Sequence, residues 1–146
     1  MDEKTYCSCS CKKGSQRVKN KNFRKFSGEN LLIHKINLLK RLSDIDDIII
    51  NTDSDDAISI SKKLNVNFFK REDYFASSEC KNSDFWQNIA ETTKSEFIMF
   101  TNCTSPLIKL STYEKIISQF KNFSNNNFDS INTVTEIKEF LFKDNK

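Results

Sequence analysis

Short apolar segments alternate with amphipathic helical segments along the chain, and this alternation limits the folds that the sequence can adopt. The expected strands are residues 5–11, 46–51, 66–69, 96–101 and 129–135. Apolar residues at helical spacing predict intervening helices at residues 29–42, 54–64, around 85–90, and 111–120. Strands this far apart need helical crossovers, so the order predicts an α/β fold with a mostly parallel sheet and helices on both faces.

Polar residues mark where two of these helices begin. Asn82 or Ser83 can cap the third helix, because a short polar side chain accepts a hydrogen bond from a backbone N–H of the first turn. Ser111 and Glu114 have the spacing of a capping box, which predicts that the fourth helix opens at Ser111. The Asn-rich residues 124–127 then predict a loop before the last strand.

The length and composition favour one compact unit. The chain has 146 residues, close to the commonest size of one domain, and 37% of them are hydrophobic. We therefore expect residues 1–146 to form a single α/β domain. The chain has two glycines, Gly14 and Gly28, which are too far apart for a GxGxxG turn or a Walker A loop. The single histidine, His34, excludes His-rich zinc sites, and its place in the first helix predicts a structural role.

The amino-terminal residues and the cysteines indicate a reducing compartment. No apolar run approaches the roughly 18 residues of a membrane span, so no membrane partner is expected. The polar start MDEKTYCSCS lacks the apolar centre of a signal peptide, which predicts a cytoplasmic protein. Cys7, Cys9 and Cys11 alternate along the first strand and share one face of it, as small apolar side chains do. We expect all five cysteines to be reduced and none to bind a metal.

Positive charge is concentrated in residues 12–25, which we call the basic segment. It contains seven lysines and arginines and no acidic residue, whereas the whole chain has a net charge of +3. A concentrated positive charge suits a phosphate chain or a nucleic-acid backbone. The alternative, a charged loop that is simply solvated, stays open on the charge alone.

Three polar segments follow predicted strands and are expected to meet at one edge of the sheet. The basic segment follows the first strand, residues 51–56 (NTDSDD) follow the second, and residues 101–107 (TNCTSPL) end the fourth. Ligands bind beyond the carboxyl ends of strands in sheets of this type. Gly14 permits a turn whose backbone N–H groups can hold phosphate oxygens, and lysines around it can add charge.

Individual residues of these loops have two interpretations each. Asn22 and Asn102 could bind a base edge or a sugar hydroxyl, or they could bond their own turns. Asp53 could anchor a ribose or a metal ion, or it could cap the second helix. Ser105 and Pro106 are interpreted as turn residues.

Several segments together resemble the acylneuraminate cytidylyltransferase family, which includes the CMP-sialic acid synthetases. Residues 11–22 (CKKGSQRVKNKN) are similar to the family's A-R-x-G-S-K-x-x-x-x-K-N, and residues 51–58 are similar to its S-T-D-S-x-x-I. Residues 102–108 (NCTSPLI) are similar to its Q-P-T-S-P-L-R. Residues 129–130 (DS) and 134–136 (VTE) look like its D-S strand and T-E turn.

The resemblance implies a Rossmann-like fold of the nucleotide-diphospho-sugar transferase type and a reaction that transfers CMP from CTP to an anionic sugar. By position, Lys12 and Lys21 would contact the triphosphate as the catalytic residues. The other residues implied to bind the nucleotide are Gly14, Ser15, Arg17, Asn22, Ser83 and Asn102. The family also implies a requirement for Mg²⁺ and the possibility of a homodimer.

The sequence departs from the family pattern at several of these positions. Lys12 stands where the family has arginine, which removes the bidentate fork, and Gln16 replaces a lysine. Family members usually exceed 200 residues, and their later part supplies metal carboxylates and much of the sugar pocket. We therefore expect the chain to correspond to the amino-terminal, nucleotide-binding part of the family, and no protein ligand for the metal is assigned.

Two other functions remain open on the sequence. A non-catalytic nucleotide-binding or regulatory module of the same fold would explain the substitutions at Lys12 and Gln16. Nucleic-acid binding through the basic segment would explain its charge, but Phe23 within it and Phe26 directly after it are the only aromatic residues there, fewer than a stacking surface needs. The favoured partners are therefore CTP and an acidic sugar, with no nucleic acid.

Overall fold

The computed structural model describes residues 4–14, 18–123 and 128–134. Its strands are β1 (Thr5–Cys11), β2 (Lys25–Phe26), β3 (Glu29–Asn30), β4 (Asp47–Thr52), β5 (Asn67–Lys70) and β6 (Phe97–Asn102). Its α-helices are α1 (Leu31–Leu39), α2 (Asp55–Lys63), α3 (Asp73–Ala76), α4 (Asn82–Thr93) and α5 (Leu110–Phe123). A single 3-10 turn, Lys21–Phe23, lies between β1 and β2 in the described part of the chain.

The main sheet has four parallel strands in the order β5-β4-β1-β6. The predicted α/β fold with a parallel sheet is therefore confirmed. Its first four predicted strands are also confirmed, each within one residue at either end. Because all four strands run the same way, their carboxyl ends meet at one edge, which we call the carboxyl edge.

One face of the sheet carries most of the buried apolar core. The thiols of Cys7, Cys9 and Cys11 alternate along β1 and are fully buried, as the sequence pattern predicted. They belong to one cluster with apolar side chains of the flanking helices and of β4. The other members include Leu32, Ile36, Leu39, Ile48, Ile50, Ala57, Tyr113 and Ile117.

The other face packs against α4 through aromatic rings. The ring of Phe100 on β6 lies 4.5 Å from that of Trp86 and 6.1 Å from that of Phe85, in edge-to-face geometry. Phe100 pairs with Ser8 on β1, so it points away from the cysteine face. Helices thus flank both faces of the sheet, in agreement with the prediction.

The first helix is shorter than predicted because its first two residues form a hairpin instead. Glu29 and Asn30 pair with β2 across a turn at Ser27 and Gly28, whose φ angles are 48° and 93°. Two successive positive φ angles are typical of a two-residue hairpin turn. Asn30 then caps α1, with its Oδ1 accepting from the N–H of Ile33 at 2.9 Å.

Two predicted helix caps are wrong. The N-cap of α4 is Lys81, without a side-chain cap, so Asn82 and Ser83 lie inside the first turn. The Ser83 hydroxyl donates to Asp84 instead, at 3.0 Å. Helix α5 begins at Leu110, which places Ser111 one residue inside the helix rather than at its cap. Both helices begin one or two residues earlier than predicted, and sequence spacing alone does not fix a helix start to within one residue.

The last predicted strand, residues 129–135, is not formed by the residues of it that the structure describes. Residues 128–134 have no regular secondary structure. Val134 is 90% exposed and Ile131 is half-buried, so the segment has no apolar face to hold it in the sheet. The predicted loop at 124–127 and the residues 135–136 of the family motif lie outside the described residues.

In the part of the chain that the structure describes, every helix is too short or too polar to cross a bilayer.

Candidate functional site at the carboxyl edge

Strand register brings the ends of three strands together at the carboxyl edge. Ser10 on β1 lies opposite Asn51 on β4 and also opposite Asn102 on β6. The backbone N–H of Lys13 donates to Asp53 Oδ1 at 2.6 Å, which joins the loop after β1 to the loop after β4. The predicted meeting of the three polar loops is therefore what the structure shows.

The loop after β1 is exposed and turns at Gly14. Lys12, Lys13 and Gly14 are exposed, and Gly14 has a φ of 72°, which favours glycine. Among the described residues beyond its chain neighbours, no atom lies within 4 Å of where a Cβ would be on Gly14. Ser15 and Arg17, two predicted nucleotide-binding residues, lie outside the described residues.

Asn22 closes the base of this loop from the 3-10 turn. Its Nδ2 donates to the carbonyl of Lys12 at 3.0 Å, and the side chain is 6% exposed. Its Oδ1 is buried and has no hydrogen-bond partner among the residues that the structure describes. A buried acceptor without a partner is costly, so this oxygen is suited to accept from a ligand. Lys21 precedes it in the same turn and is half-buried.

The Asp53 carboxylate accepts a hydrogen bond from the loop after β1 and does not cap α2. The cap of α2 is Ser54, whose Oγ accepts from the N–H of Ala57 at 3.4 Å. The capping interpretation of Asp53 is therefore wrong. Its Oδ1 is taken by Lys13, which gives Asp53 a role in holding the Gly14 loop against β4.

Asn102 and Ser83 differ in how close the structure brings them to the loop. Asn102 ends β6 beside Ser10, and it is exposed at the carboxyl edge. Ser83 lies in the first turn of α4 and bonds only to Asp84 among the contacts that the structure describes. Helix α4 reaches the edge through Phe85, whose ring lies 5.0 Å from the guanidinium carbon of Arg71. The structure thus places Asn102 with the loop and leaves Ser83 at the border of the site.

Arg71 is a site residue that the sequence analysis missed. It directly follows β5, is 4% exposed, and donates from Nε to Asn51 Oδ1 at 2.6 Å. Its Nη2 donates to Ser10 Oγ and to the carbonyl of Asn51, both at 2.8 Å. Burial lowers the pKa of Arg71, and the Asp53 carboxylate opposes this shift. The signal for it in the sequence is an arginine immediately after a short strand, at the predicted ligand edge.

Helix α1 holds the loop after β6 through two neighbouring side chains. The Lys35 ammonium, fully buried, donates to the carbonyl of Ser105 at 2.9 Å and to the hydroxyl of Tyr113 at 2.7 Å. His34 Nε2 lies 3.3 Å from the carbonyl of Pro106. These contacts fix the turn that follows Asn102, and they agree with the structural role predicted for His34.

The described residues do not supply a metal centre made of protein ligands. Among residues 4–14, 18–123 and 128–134, no three His, Cys, Asp or Glu side chains gather closely enough to hold an ion. Asp53, the acidic residue nearest the Gly14 loop, already accepts from Lys13. Mg²⁺ is therefore not assigned to any of the described residues.

Comparison with known proteins identifies the family. The family model described as Cytidylyltransferase matches residues 12–146, nearly the whole chain. Among curated proteins, the chain is similar to CMP-N,N'-diacetyllegionaminic acid synthase from Campylobacter jejuni. The two are 35% identical over 72 residues, which cover 49% of this chain and 31% of that protein.

Solved structures share the fold at low sequence identity. One is a CMP:2-keto-3-deoxy-manno-octonic acid synthetase complexed with CTP, with a TM-score of 0.67 and 11% identity, covering 82% of this chain and 48% of that one. A second is a cytidylyltransferase from Leptospira borgpetersenii, with a TM-score of 0.67 and 20% identity, covering 85% and 50%. A third is a 4-diphosphocytidyl-2C-methyl-D-erythritol synthase, with a TM-score of 0.63 and 12% identity, covering 84% and 56%.

The chain spans about a third of the curated relative and about half of the solved structures. The resemblance seen in the sequence motifs and the match over residues 12–146 agree, and the parallel sheet with its carboxyl-edge loops is the fold that these structures share. The chain belongs to the cytidylyltransferase family.

Proposed function

We propose that the carboxyl edge binds CTP and that residues 1–146 act as the nucleotide-binding domain in transfer of CMP to an acidic sugar of the nonulosonic (sialic acid-like) class. The observation that carries the proposal is the start of the Gly14 loop, where the Lys12 carbonyl accepts from Asn22 and the Lys13 N–H donates to Asp53. Backbone held in this way keeps Lys12 and Lys13 in place before the nucleotide arrives, which lowers the cost of ordering them.

In this proposal each residue contacts a different part of the nucleotide. Lys12 and Lys21 bind the triphosphate, as point charges that stabilise the departing pyrophosphate. Asn22 Oδ1 accepts a hydrogen bond from the nucleotide, since it is buried and unpartnered. Asn102 binds from the β6 side. The buried cation of Arg71 adds positive potential below the loop, and its three bonds to Asn51 and Ser10 keep it there.

The reaction proposed is displacement at the α-phosphorus of CTP. A hydroxyl oxygen of the sugar acid forms a bond to that phosphorus and loses its proton to solvent, while the bond to the bridging oxygen breaks and pyrophosphate leaves with its electron pair. The chain's part is to bind, orient and stabilise charge. Mg²⁺ stays an expectation from the family, with the phosphates as its main ligands. A homodimer and a cytoplasmic location also stay predictions from the sequence.

Calorimetry with CTP, UTP, ATP and GTP tests the binding step. We expect CTP to bind best, and Lys12→Gln to weaken CTP binding about tenfold through loss of a phosphate contact. Lys25→Gln is the matched control, because it removes the same charge from the β2 hairpin and leaves the Gly14 loop intact. Equal affinity for all four nucleotides would contradict the proposal, as would equal losses in the two variants.

A second candidate is a non-catalytic module of the same fold, favoured by Lys12 and Gln16 standing where the family has arginine and lysine. Pyrophosphate release with CTP and a panel of nonulosonic acids separates the two. Release supports the transferase, and CTP binding without release for any acceptor supports the module. Nucleic-acid binding through the basic segment would instead appear as a mobility shift that weakens steeply with salt.

A further inference from the structure

Two free thiols lie where β1 meets the loop after β6, next to the proposed nucleotide site. Ser10 and Asn102 are register partners, so the next residues along the two parallel strands are Cys11 and Cys103. Neighbouring strands lie about 4.8 Å apart, within the range that a disulfide can bridge. Cys103 Sγ lies 3.5 Å from the carbonyl of Ser10, the residue before Cys11, and the two thiols are close enough to shift each other's pKa. Both side chains are buried.

The surroundings of the pair make Cys103 the more acidic thiol. The hydrogen bond from Cys11 lowers the pKa of Cys103, and the ammonium groups of Lys35 and Lys21 lower it further against the effect of burial. The same hydrogen bond, with burial, raises the pKa of Cys11. Burial also raises the pKa of Cys7, to about 12. The lowered pKa of Cys103 favours it as the nucleophile of the pair, and the strand register places Cys11 beside it.

We propose that Cys103 and Cys11 form a reversible disulfide when a hydroperoxide oxidises the chain. The Cys103 thiolate attacks the peroxide, the O–O bond breaks, and Cys103 becomes a sulfenic acid with release of hydroxide or an alkoxide. The Cys11 sulfur then attacks the Cys103 sulfur, the S–O bond breaks, and water leaves. Two thiols lose two electrons, and the peroxide gains them. A thiol reductant restores both cysteines.

The disulfide would change the nucleotide site, because each cysteine adjoins a residue of that site. Cys11 precedes Lys12, Cys103 follows Asn102, and the Asn22 amide contacts the Cys11 thiol. Bonded sulfurs lie much closer than hydrogen-bonded ones, so forming the bond draws the two loops together. This consequence for CTP binding rests on the proposed function, whereas the disulfide itself does not.

Mass spectrometry of the full chain tests the proposal. When the chain is treated with hydrogen peroxide, unfolded and alkylated, we expect two of its five cysteines to escape alkylation, and all five to be alkylated if dithiothreitol is added first. Digestion should give one peptide pair cross-linked between Cys11 and Cys103. A Cys103 that goes on to sulfinic acid without a cross-link overturns the proposal, and so does a cross-link between any other pair.

Variants separate this pair from the other thiols. Cys80→Ser, which removes the cysteine that is not fully buried, should leave the cross-link unchanged, and Cys103→Ser should abolish it. Calorimetry on the oxidised wild-type chain should show about a tenfold loss of CTP affinity, recovered on reduction. If the disulfide forms but neither state binds CTP, the proposed function fails and the redox site stands. If the chain binds CTP before and after peroxide treatment but no disulfide forms, the redox proposal fails alone.

Discussion

At the scale of single residues, Arg71 shows how this fold stabilises a buried cation through hydrogen bonds and a ring contact. A guanidinium moved out of water loses several kcal/mol of solvation, which must be regained from hydrogen bonds. Arg71 makes three of them, to Asn51 and Ser10, and its face packs on the ring of Phe85. Asn51 is the main partner, because its side-chain Oδ1 and its backbone carbonyl both accept from Arg71.

We predict that Asn51→Ala lowers the free energy of unfolding by about 2 kcal/mol, because it leaves the Nε–H of a buried guanidinium without an acceptor. Asn67→Ala is the matched control. It removes the same side chain from β5, where the amide bonds to Asp47 at the exposed surface, so a loss below about 0.5 kcal/mol is expected. Urea unfolding followed by circular dichroism gives both values. Equal losses would show that the Arg71 contact is not what Asn51 contributes.

The sequence analysis proposed Asn22 and Asn102 for the candidate site but did not single out Arg71. Asn22 and Asn102 are recognisable because they stand at positions of a family motif and follow strands. The importance of Arg71 depends on Asn51 and Ser10, which are 20 and 61 positions away in the chain. Only the register between β1, β4 and β5 brings these three side chains together, and no local pattern encodes that register.

At the scale of elements, α2 is the helix whose ends agree best with its sequence. Ser54 caps it, Asp55 and Asp56 lie in the first turn, and Lys62 and Lys63 lie in the last, so the charges complement the helix dipole at both ends. The prediction of residues 54–64 for this helix is confirmed within one residue at each end. Where local capping and charge both agree with the fold, the sequence alone is sufficient to predict where a helix begins and ends.

We predict that Ser54→Ala destabilises the protein by about 1 kcal/mol, since the N–H of Ala57 loses its acceptor at a buried helix end. Ser59→Ala, in the same helix, should be neutral or slightly stabilising. The Ser59 hydroxyl is exposed and bonds back to the carbonyl of Asp55, and alanine has the higher helix propensity. Thermal unfolding of both variants measures the difference. A Ser54→Ala midpoint at or above that of Ser59→Ala would contradict the capping role.

Other elements were mispredicted where local signals competed. Glu29 and Asn30 fit the helical pattern, but the Ser27–Gly28 turn draws them into a hairpin. Residues 129–135 have strand-like composition, but residues 129–133 line a cavity of about 470 Å³ against β6 and α5 without joining the sheet. A strand at a sheet edge forms only if its apolar face finds a partner, which composition does not reveal.

At the scale of the whole molecule, the buried Lys35 joins three elements into one unit. From α1 it reaches the turn after β6 through Ser105 and reaches α5 through Tyr113, whose hydroxyl lies 2.8 Å from that of Thr101 on β6. Its ammonium also lies 5.1 Å from the centre of the Tyr113 ring. No carboxylate pairs with it among the residues that the structure describes. Burial of the ammonium therefore lowers the stability of the fold, but its hydrogen bond to the Ser105 carbonyl holds the loop next to Asn102 in place.

We predict that Lys35→Met stabilises the protein against urea by about 1 kcal/mol, because methionine fills the same volume without the desolvation cost of a buried ammonium. The same change should weaken CTP binding about fivefold, since the Ser105 carbonyl loses its donor and the turn that carries Asn102 is no longer held. Lys35→Ala should instead destabilise by about 3 kcal/mol through the cavity that it leaves. A Lys35→Met variant that is both less stable and unchanged in CTP affinity would show that the ammonium holds the core rather than the site.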